Sequence, residues 1–283
     1  MHEGELGYRG HRLFLRSGGD GPDLWLIHGF PTSSRDWLTL WPLLSKNFRL
    51  TAIDMLGFGR SDKPPAFNYS IMASADQWEA LAAESGTGDV VVVAHDYGDT
   101  VLQELLARQN AGELRFRIRA AVLLNGGIFD DATRPLLIQK LLKGPLGPLV
   151  ARLSSYRRFA ASMRRICRRP PGDEELREHW ALLIANGGRR VLPRIIRYID
   201  ERRRHRQRWL DALRDSGVPL CHVNGLCDPI SGQRIVDCWR ERLPDGAVVE
   251  LADIGHYPQW EAPQAVAAAV LDFLDRHPEQ TGR

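Results

Sequence analysis

The chain has 283 residues, long for one ordinary domain and suited to an α/β domain that carries an insertion. Hydrophobic residues at 43 % and aromatics at 8 % provide for a packed core and exclude a mostly disordered chain. The net charge of +3 hides an uneven distribution, because arginine supplies sixteen cations between residues 155 and 210 against six acids there, so the insertion is basic and the rest acidic.

A basic stripe attracts nucleic acid or an anionic membrane surface, but solvated helix faces are the usual reason for such charge, and no nucleic-acid partner is expected. The amino terminus mixes His2, Glu3, Glu5, Arg9 and His11 and offers no continuous apolar core of signal-peptide length. The longest apolar runs are far short of the roughly 20 residues a membrane span needs, so a soluble, cytoplasmic protein is expected. Cys167, Cys221, Cys227 and Cys238 show no paired metal spacing and read as reduced thiols. The first few residues and the tail after His277 are expected to fray.

In chain order, short apolar runs at 12–15, 24–28, 49–54, 90–95, 120–125, 220–224 and 248–252 read as buried strands. Helical patterns at 33–44, 75–84, 99–109 and 234–242 alternate with them, which argues for a mostly parallel sheet covered on both faces. The rhythm breaks after Asn125. Nearly a hundred residues then carry helical patterns only, at 133–142, 149–168, 173–186 and 192–213, broken by Gly144-Pro145, Pro170-Pro171-Gly172 and Gly187-Gly188. The division expected is an α/β core at 1–128 and 214–283 with a helical cap at 129–213.

The strand at 90–94 runs into Ala94-His95-Asp96-Tyr97-Gly98 and then a helix, the strand–turn–helix context of a nucleophile elbow. Small residues at Ala94 and Gly98 let strand and helix backbones approach, and Asp96 is the residue presented. Taken alone, Asp96 also admits the plainer reading of a helix N-cap. Upstream, His28-Gly29-Phe30-Pro31 ends an earlier strand where a hydrolase needs a backbone N–H for an oxyanion. The candidates for that hole are the N–H groups of Phe30 and Tyr97. Downstream, Asp228-Pro229 places an acid in a loop after a strand, and His256 follows the last strand. Each is a plain loop residue alone; together they give the order nucleophile, acid, histidine of an α/β-hydrolase triad.

The segments His28-Gly-Phe-Pro, Asp54-Met-Leu-Gly-Phe-Gly-Arg-Ser61, His95-Asp-Tyr-Gly, Asp228-Pro and His256 resemble the epoxide hydrolase and haloalkane dehalogenase branch of the α/β-hydrolases, over nearly the whole chain. More narrowly, residues 94–106, 125–129, 134–142 and 256–259 resemble the mesoderm-specific transcript proteins. The resemblance implies an α/β-hydrolase fold with a helical cap inserted after its sixth strand.

An aspartate nucleophile displaces at saturated carbon and leaves an alkyl ester on Asp96 that water cleaves, with His256 as base oriented by Asp228. Epoxide opening also needs an acid for the leaving alkoxide, which in the resembling family comes from cap tyrosines. Tyr198, beside Ile195, Ile196 and Ile199, and Tyr156, beside Arg157 and Arg158, are the candidates, each open to a plain packing role. A dehalogenase instead needs N–H donors for halide, and the side chains of Tyr97 and Phe30 offer none, so that activity ranks second beside ester or lactone hydrolysis. Asn125 reads as a strand-end turn cap, or as an amide for substrate or the acid loop.

The expected partners are a small apolar substrate and water, with no metal and no cofactor. Gly57-Phe58-Gly59 lacks the third glycine of a dinucleotide site. The stretch 136–153 is apolar apart from Lys140, Lys143 and Arg152. It fits a membrane interface on a non-catalytic protein that retains the fold, or the rim of a substrate tunnel; the complete triad favours the rim.

Overall fold

The computed structural model describes residues 1–281. Eight strands, β1 (His2–Tyr8), β2 (His11–Gly18), β3 (Asp23–Ile27), β4 (Arg49–Ile53), β5 (Asp89–His95), β6 (Arg117–Leu124), β7 (Leu220–Gly225) and β8 (Ala247–Leu251), form one sheet in the order β1-β2-β4-β3-β5-β6-β7-β8. The two pairings made by β2, with β1 and with β4, are antiparallel, and all others are parallel.

The apolar runs are continuous because both faces of the sheet are covered. Along β5, Val90, Val92 and Ala94 join one core while Val91 and Val93 join the other. The second core is closed by α1 (Trp41–Leu44) and, near the end of the chain, by Val266, Val270 and Phe273. The first is closed by α2 (Ile71–Ser85) and α3 (Tyr97–Asn110), and later by Ile235 and Trp239. Each fully buried valine contributes roughly 1.5–3 kcal/mol through apolar area removed from water.

Between β6 and β7 the described residues hold helices and no strand: α4 (Leu137–Lys143), α5 (Gly147–Arg152), α6 (Tyr156–Ile166), α7 (Asp173–Ile184), α8 (Gly188–Ile195), α9 (Tyr198–Arg204) and α10 (Arg206–Arg214). The long helix expected at 149–168 divides into α5 and α6 around Ser154, whose hydroxyl donates to the Ala151 carbonyl at 2.6 Å. The one expected at 192–213 divides into three, with Pro193 inside α8 and breaks at Ile196–Arg197 and His205. After β7 come α11 (Gln233–Arg242), α12 (Pro258–Glu261), α13 (Pro263–Asp275) and α14 (Pro278–Thr281).

The expectation of fraying at the amino terminus is overturned. Residues 2–8 pair along their whole length with residues 11–17, and Arg16 and Arg12 of β2 meet Glu3 and Glu5 of β1 at 2.6 and 2.8 Å. Only Leu6 and Tyr8 of this strand are buried, so its apolar signal is weak and the ladder to β2 carries it. Frayed structure after His277 is not found over residues 278–281, which form α14, with Arg119 Nη2 donating to the Glu279 carbonyl at 2.6 Å. The last residues of that expected tail lie outside the described ones.

Candidate active site

Parallel strands send their carboxyl ends to one edge of the sheet, and the loops there carry the predicted polar residues. Asp96 follows β5 and opens α3 with φ 49° and ψ −104°, a conformation costing a non-glycine residue on the order of 1–3 kcal/mol. Its N–H still donates to the Leu124 carbonyl at 3.2 Å, so the ladder with β6 holds the turn. Gly98 is required there, because a Cβ at that position would lie 2.3 Å from the Ile27 carbonyl oxygen. Gly29 is required on the facing loop, where a Cβ would meet His95 Nδ1 at 2.6 Å and Asp96 Cβ at 3.0 Å.

The Phe30 N–H donates to Asp96 Oδ2 at 3.1 Å. Tyr97, the first residue of α3, has an N–H in the first turn that no intrahelical carbonyl takes, and its hydroxyl is turned away, bonding Ser74 Oγ at 2.7 Å. Pro31 continues the Phe30 loop and lines the cavity described below. His28 and His95 are structural links. His28 Nε2 accepts from the Met55 N–H at 3.1 Å, so its Nδ1–H donates to the Gly29 carbonyl at 2.9 Å. His95 Nε2–H donates to the main-chain oxygen of His256 at 2.8 Å and so ties the elbow to the histidine loop.

Asp228, in the loop after β7, and His256, after β8, are brought together: His256 Nδ1–H donates to Asp228 Oδ2 at 2.7 Å. Three further donors hold that carboxylate. Asn125 Nδ2 reaches Oδ2 at 3.0 Å, Ser231 Oγ reaches Oδ2 at 2.5 Å, and the Ile230 N–H reaches Oδ1 at 2.7 Å. Asn125, at φ 42°, also bonds both backbone groups of Gly225, so its amide serves the acid loop as well as the strand end.

Burial raises the Asp228 carboxyl, but the His256 charge and these hydrogen bonds bring it below the ordinary range. For His256, burial opposes the charged form while the carboxylates of Asp228 and Asp96 favour it, and the balance lies above the ordinary value. With Nδ1 engaged, Nε2 is the nitrogen free to take a proton. Asp99, one turn into α3, is pushed well above the usual carboxylate range by burial and by the Asp96 charge, which keeps it neutral beneath the elbow.

The two candidate tyrosines part company. Tyr198 is buried, with its ring 4.9 Å from that of Tyr97 and 5.9 Å from that of Phe30. It shares with Asp96 a small niche of about 30 Å³ that also takes in Gln139, Ile230 and Arg202. Burial, then the Asp96 charge, raise its phenol above the ordinary value, so it remains a proton donor. Tyr156 is not brought to the site. Its hydroxyl bonds the carbonyl of Asp173 at 3.0 Å and that residue's carboxylate, and Arg177 covers its ring at 4.3 Å.

Arg202 and Glu261 carry no motif, and sequence reasoning missed both. Arg202 of α9 donates from Nη2 to the Asp96 carbonyl and from Nε to Thr100 Oγ1, both at 2.8 Å. Glu261 of α12 accepts four backbone N–H groups, those of Gly255 and Tyr257 around the histidine and those of Arg168 and Arg169 after α6, at 2.7–3.2 Å. Ser231 had a signal, the serine three residues after the acid in Asp228-Pro-Ile-Ser.

An apolar cavity of about 570 Å³ lies over this edge, with His256, Phe30, Pro31 and Ile230 as its floor and residues of α4, α5, α6, α7 and α8 as its walls. Gln139 and Ile230 line both this cavity and the niche holding Asp96. A cleft of about 610 Å³ lies at the amino end of β7, among Val218, Pro219, Leu220 and Gly246, and none of Asp96, Asp228 and His256 lines it.

The model of the alpha/beta hydrolase family matches residues 26–269. The chain is 45 % identical over 266 residues to the Mycobacterium tuberculosis protein named putative hydrolase LipZ, covering 93 % of this chain and 92 % of that one. It is 38 % identical over 282 residues to the mesoderm-specific transcript homolog protein of Homo sapiens, covering 95 % and 84 %, in keeping with the resemblance read from the sequence. The crystal structure of a loop variant of haloalkane dehalogenase DbeA from Bradyrhizobium elkanii matches at TM-score 0.83 and 21 % identity, over 100 % of this chain and 99 % of that one. That last likeness is one of fold.

Proposed function

The chain belongs to the alpha/beta hydrolase family, and we propose that within it the protein is an aspartate-nucleophile hydrolase that opens an apolar epoxide to a diol through a covalent ester on Asp96. The observation that carries the reading is the seating of a carboxylate at the elbow, with the Phe30 N–H 3.1 Å from its Oδ2, in the same loop cluster as an Asp228–His256 pair at 2.7 Å. In this reading an α/β core at 1–128 and 214–283 carries a cap at 129–213.

In the first step an Asp96 carboxylate oxygen attacks an epoxide carbon. The ring C–O bond breaks and the Tyr198 hydroxyl gives its proton to the alkoxide, leaving a hydroxyalkyl ester and a tyrosinate. In the second, His256 Nε2 takes a proton from water and the oxygen adds to the Asp96 carboxyl carbon. The N–H groups of Phe30 and Tyr97 receive the oxyanion. Collapse expels the second alkoxide, which takes the imidazolium proton, and the proton of the regenerated carboxyl restores Tyr198. The sum is epoxide plus water giving diol.

Apolar walls and a few polar groups at the floor suit a small hydrophobic substrate. Halide displacement on the same triad ranks behind, because the side chains of Phe30 and Tyr97 have no N–H to offer the leaving ion. The test is mass spectrometry of the His256→Gln variant after incubation with a styrene-type epoxide. The expected result is an added mass on the peptide holding Asp96, absent from the Asp96→Ala variant; an unmodified Asp96 with every reactive epoxide tried would sink the two-step route.

A further inference from the structure

Apart from Met1, the exposed large apolar side chains among the described residues lie in one place: Leu137, Ile138, Leu141, Leu146, Leu149 and Leu153 on α4, α5 and the turns beside them. Leu137 is 70 % exposed and Leu146 63 %, on a face where folding alone gives leucine no reason to stay. Gly147 lets the two helices close up, since a Cβ there would lie 2.1 Å from the Leu142 carbonyl oxygen. Along the chain the charge beside the patch has one sign, since residues 132–172 contain ten lysines and arginines and no aspartate or glutamate; of these, Lys143 is paired with Asp200 at 2.5 Å. Lys140, Arg152, Arg157 and Arg158 of that stretch are exposed. Ile138, Leu141 and Leu153 also line the 570 Å³ cavity that reaches His256, so the patch is the outer rim of that cavity.

We propose that the α4–α5 face docks in the plane of an anionic lipid surface, its leucines among the acyl chains and its cations at the headgroups, so that an apolar substrate dissolved in the lipid enters the cavity directly. An apolar patch flanked by exposed lysine and arginine is the composition that binds such an interface. A second copy fits poorly, because pairing this face with itself would bring the flanking cations of both copies together. A protein partner fits poorly too, since the six side chains include none of the aromatic anchors that dominate protein interfaces. None of the described helices is long and apolar enough to cross a membrane, and docking in the plane requires none.

The docking stands apart from the chemistry, whereas direct delivery of substrate rests on the hydrolase reading. The experiment is co-sedimentation of the full chain with vesicles of phosphatidylcholine alone and of phosphatidylcholine with phosphatidylserine in equal parts. The wild type should bind the anionic vesicles, bind the neutral ones at least about 10-fold more weakly, and lose binding as salt rises. The double variant Leu146→Asp, Leu149→Asp should lose about 10-fold or more in partitioning while turning over a water-dissolved epoxide at the wild-type rate, because neither leucine lines the cavity. Asp96→Ala should bind vesicles like the wild type, so failure of the hydrolase reading leaves the docking test intact. The proposal is overturned if the wild type binds no vesicle, or if the double variant binds as well as the wild type. Binding to poly-glutamate without vesicle binding, or a dimer in light scattering that the double variant abolishes without vesicle binding, would overturn it as well.

Discussion

Arg202 Nη2 lies 2.8 Å from the main-chain oxygen of Asp96 and 3.5 Å from its Oδ1, so one guanidinium from the helical segment grips both the strained turn and the charge it presents. The same group donates to Thr100 Oγ1, and its carbon lies 4.6 Å over the Tyr198 ring. An elbow at φ 49° needs outside support to persist, and this clamp supplies part of it. Arg202→Met should therefore destabilise the protein by about 3–5 kcal/mol, as removal of one partner from a buried pair does, measured by urea unfolding. Arg202→Lys keeps the charge but not the planar fork. It should recover most of the stability while alkylation stays slower on the order of 10²-fold, because a small misplacement of the nucleophile is expensive. Equal alkylation rates for the wild type and the lysine variant would show that the charge alone matters.

Asp96→Ala should abolish turnover, since it strips the covalent route, while the chain still folds with some loss of stability from the unpaired Arg202. Asp96→Ser should be nearly as inactive towards epoxides, because a neutral hydroxyl is a poor attacker of saturated carbon. A wild-type circular dichroism spectrum beside lost activity is the expected pair of results, with a lowered unfolding midpoint because Arg202 loses the charge it faces; substantial residual turnover in either variant would remove Asp96 from its role.

The residues that sequence reading located and the fold brings together are those whose placement is fixed by neighbours in the chain. Asp96 stands between Ala94 and Gly98, Phe30 follows His28-Gly29, and Asp228 and His256 each follow an apolar strand, so spacing and small residues betray them. Arg202 and Glu261 act across long sequence distances, on Asp96 106 positions away and on Arg168 93 away, and neither has local features that set it apart from other arginines and glutamates. The two cap tyrosines differ for the same reason. Both lie in helical, arginine-rich segments, and only the path of α9 over the elbow, against that of α6 beside Asp173, separates Tyr198 from Tyr156. The strand His2–Tyr8 was illegible because its stability comes from the ladder to β2 and not from an apolar run.

The pH dependence of ester hydrolysis follows from the Asp228–His256 pair. His256 accepts a proton from water only as the free base, and burial, outweighed by the charges of Asp228 and Asp96, leaves its pKa above the ordinary value. The rate of the second step should therefore fall as pH drops through the His256 pKa, which lies below its free-enzyme value because Asp96 is then an uncharged ester and no longer opposes the effect of burial. Asp228→Asn removes a charge that favours imidazolium, so this limb should move to lower pH. Its plateau should also fall, by up to about 10⁴-fold, because an amide does not hold the imidazole in the required tautomer. Single-turnover hydrolysis of the isolated ester across pH reads both effects; a limb that stayed put would mean that some other group controls the step.

Whether the protein opens epoxides or displaces halide depends on what meets the leaving group, and in the proposed mechanism that group is Tyr198. An alkoxide is strongly basic and requires a proton, whereas a halide requires only N–H donors. The Tyr198 phenol is raised by burial and by the Asp96 charge, so it stays protonated across the working range and is available as an acid. Its ring is held between those of Phe30 and Tyr97, and Tyr198→Phe keeps that packing and volume. Stability should change by less than about 1.5 kcal/mol. The cost should fall instead on epoxide opening, by roughly 10²–10⁴-fold, the usual range for one general acid. Alkylation of Asp96 by an alkyl bromide of matched shape should be unaffected, since no proton is transferred in that displacement. Measuring the two alkylation rates side by side in wild type and variant separates a loss of acid catalysis from a general disturbance of the site. Equal slowing with both substrates would assign Tyr198 a packing role, and a wild type that releases bromide readily while ignoring epoxides would reverse the order of the two activities while leaving the triad in place.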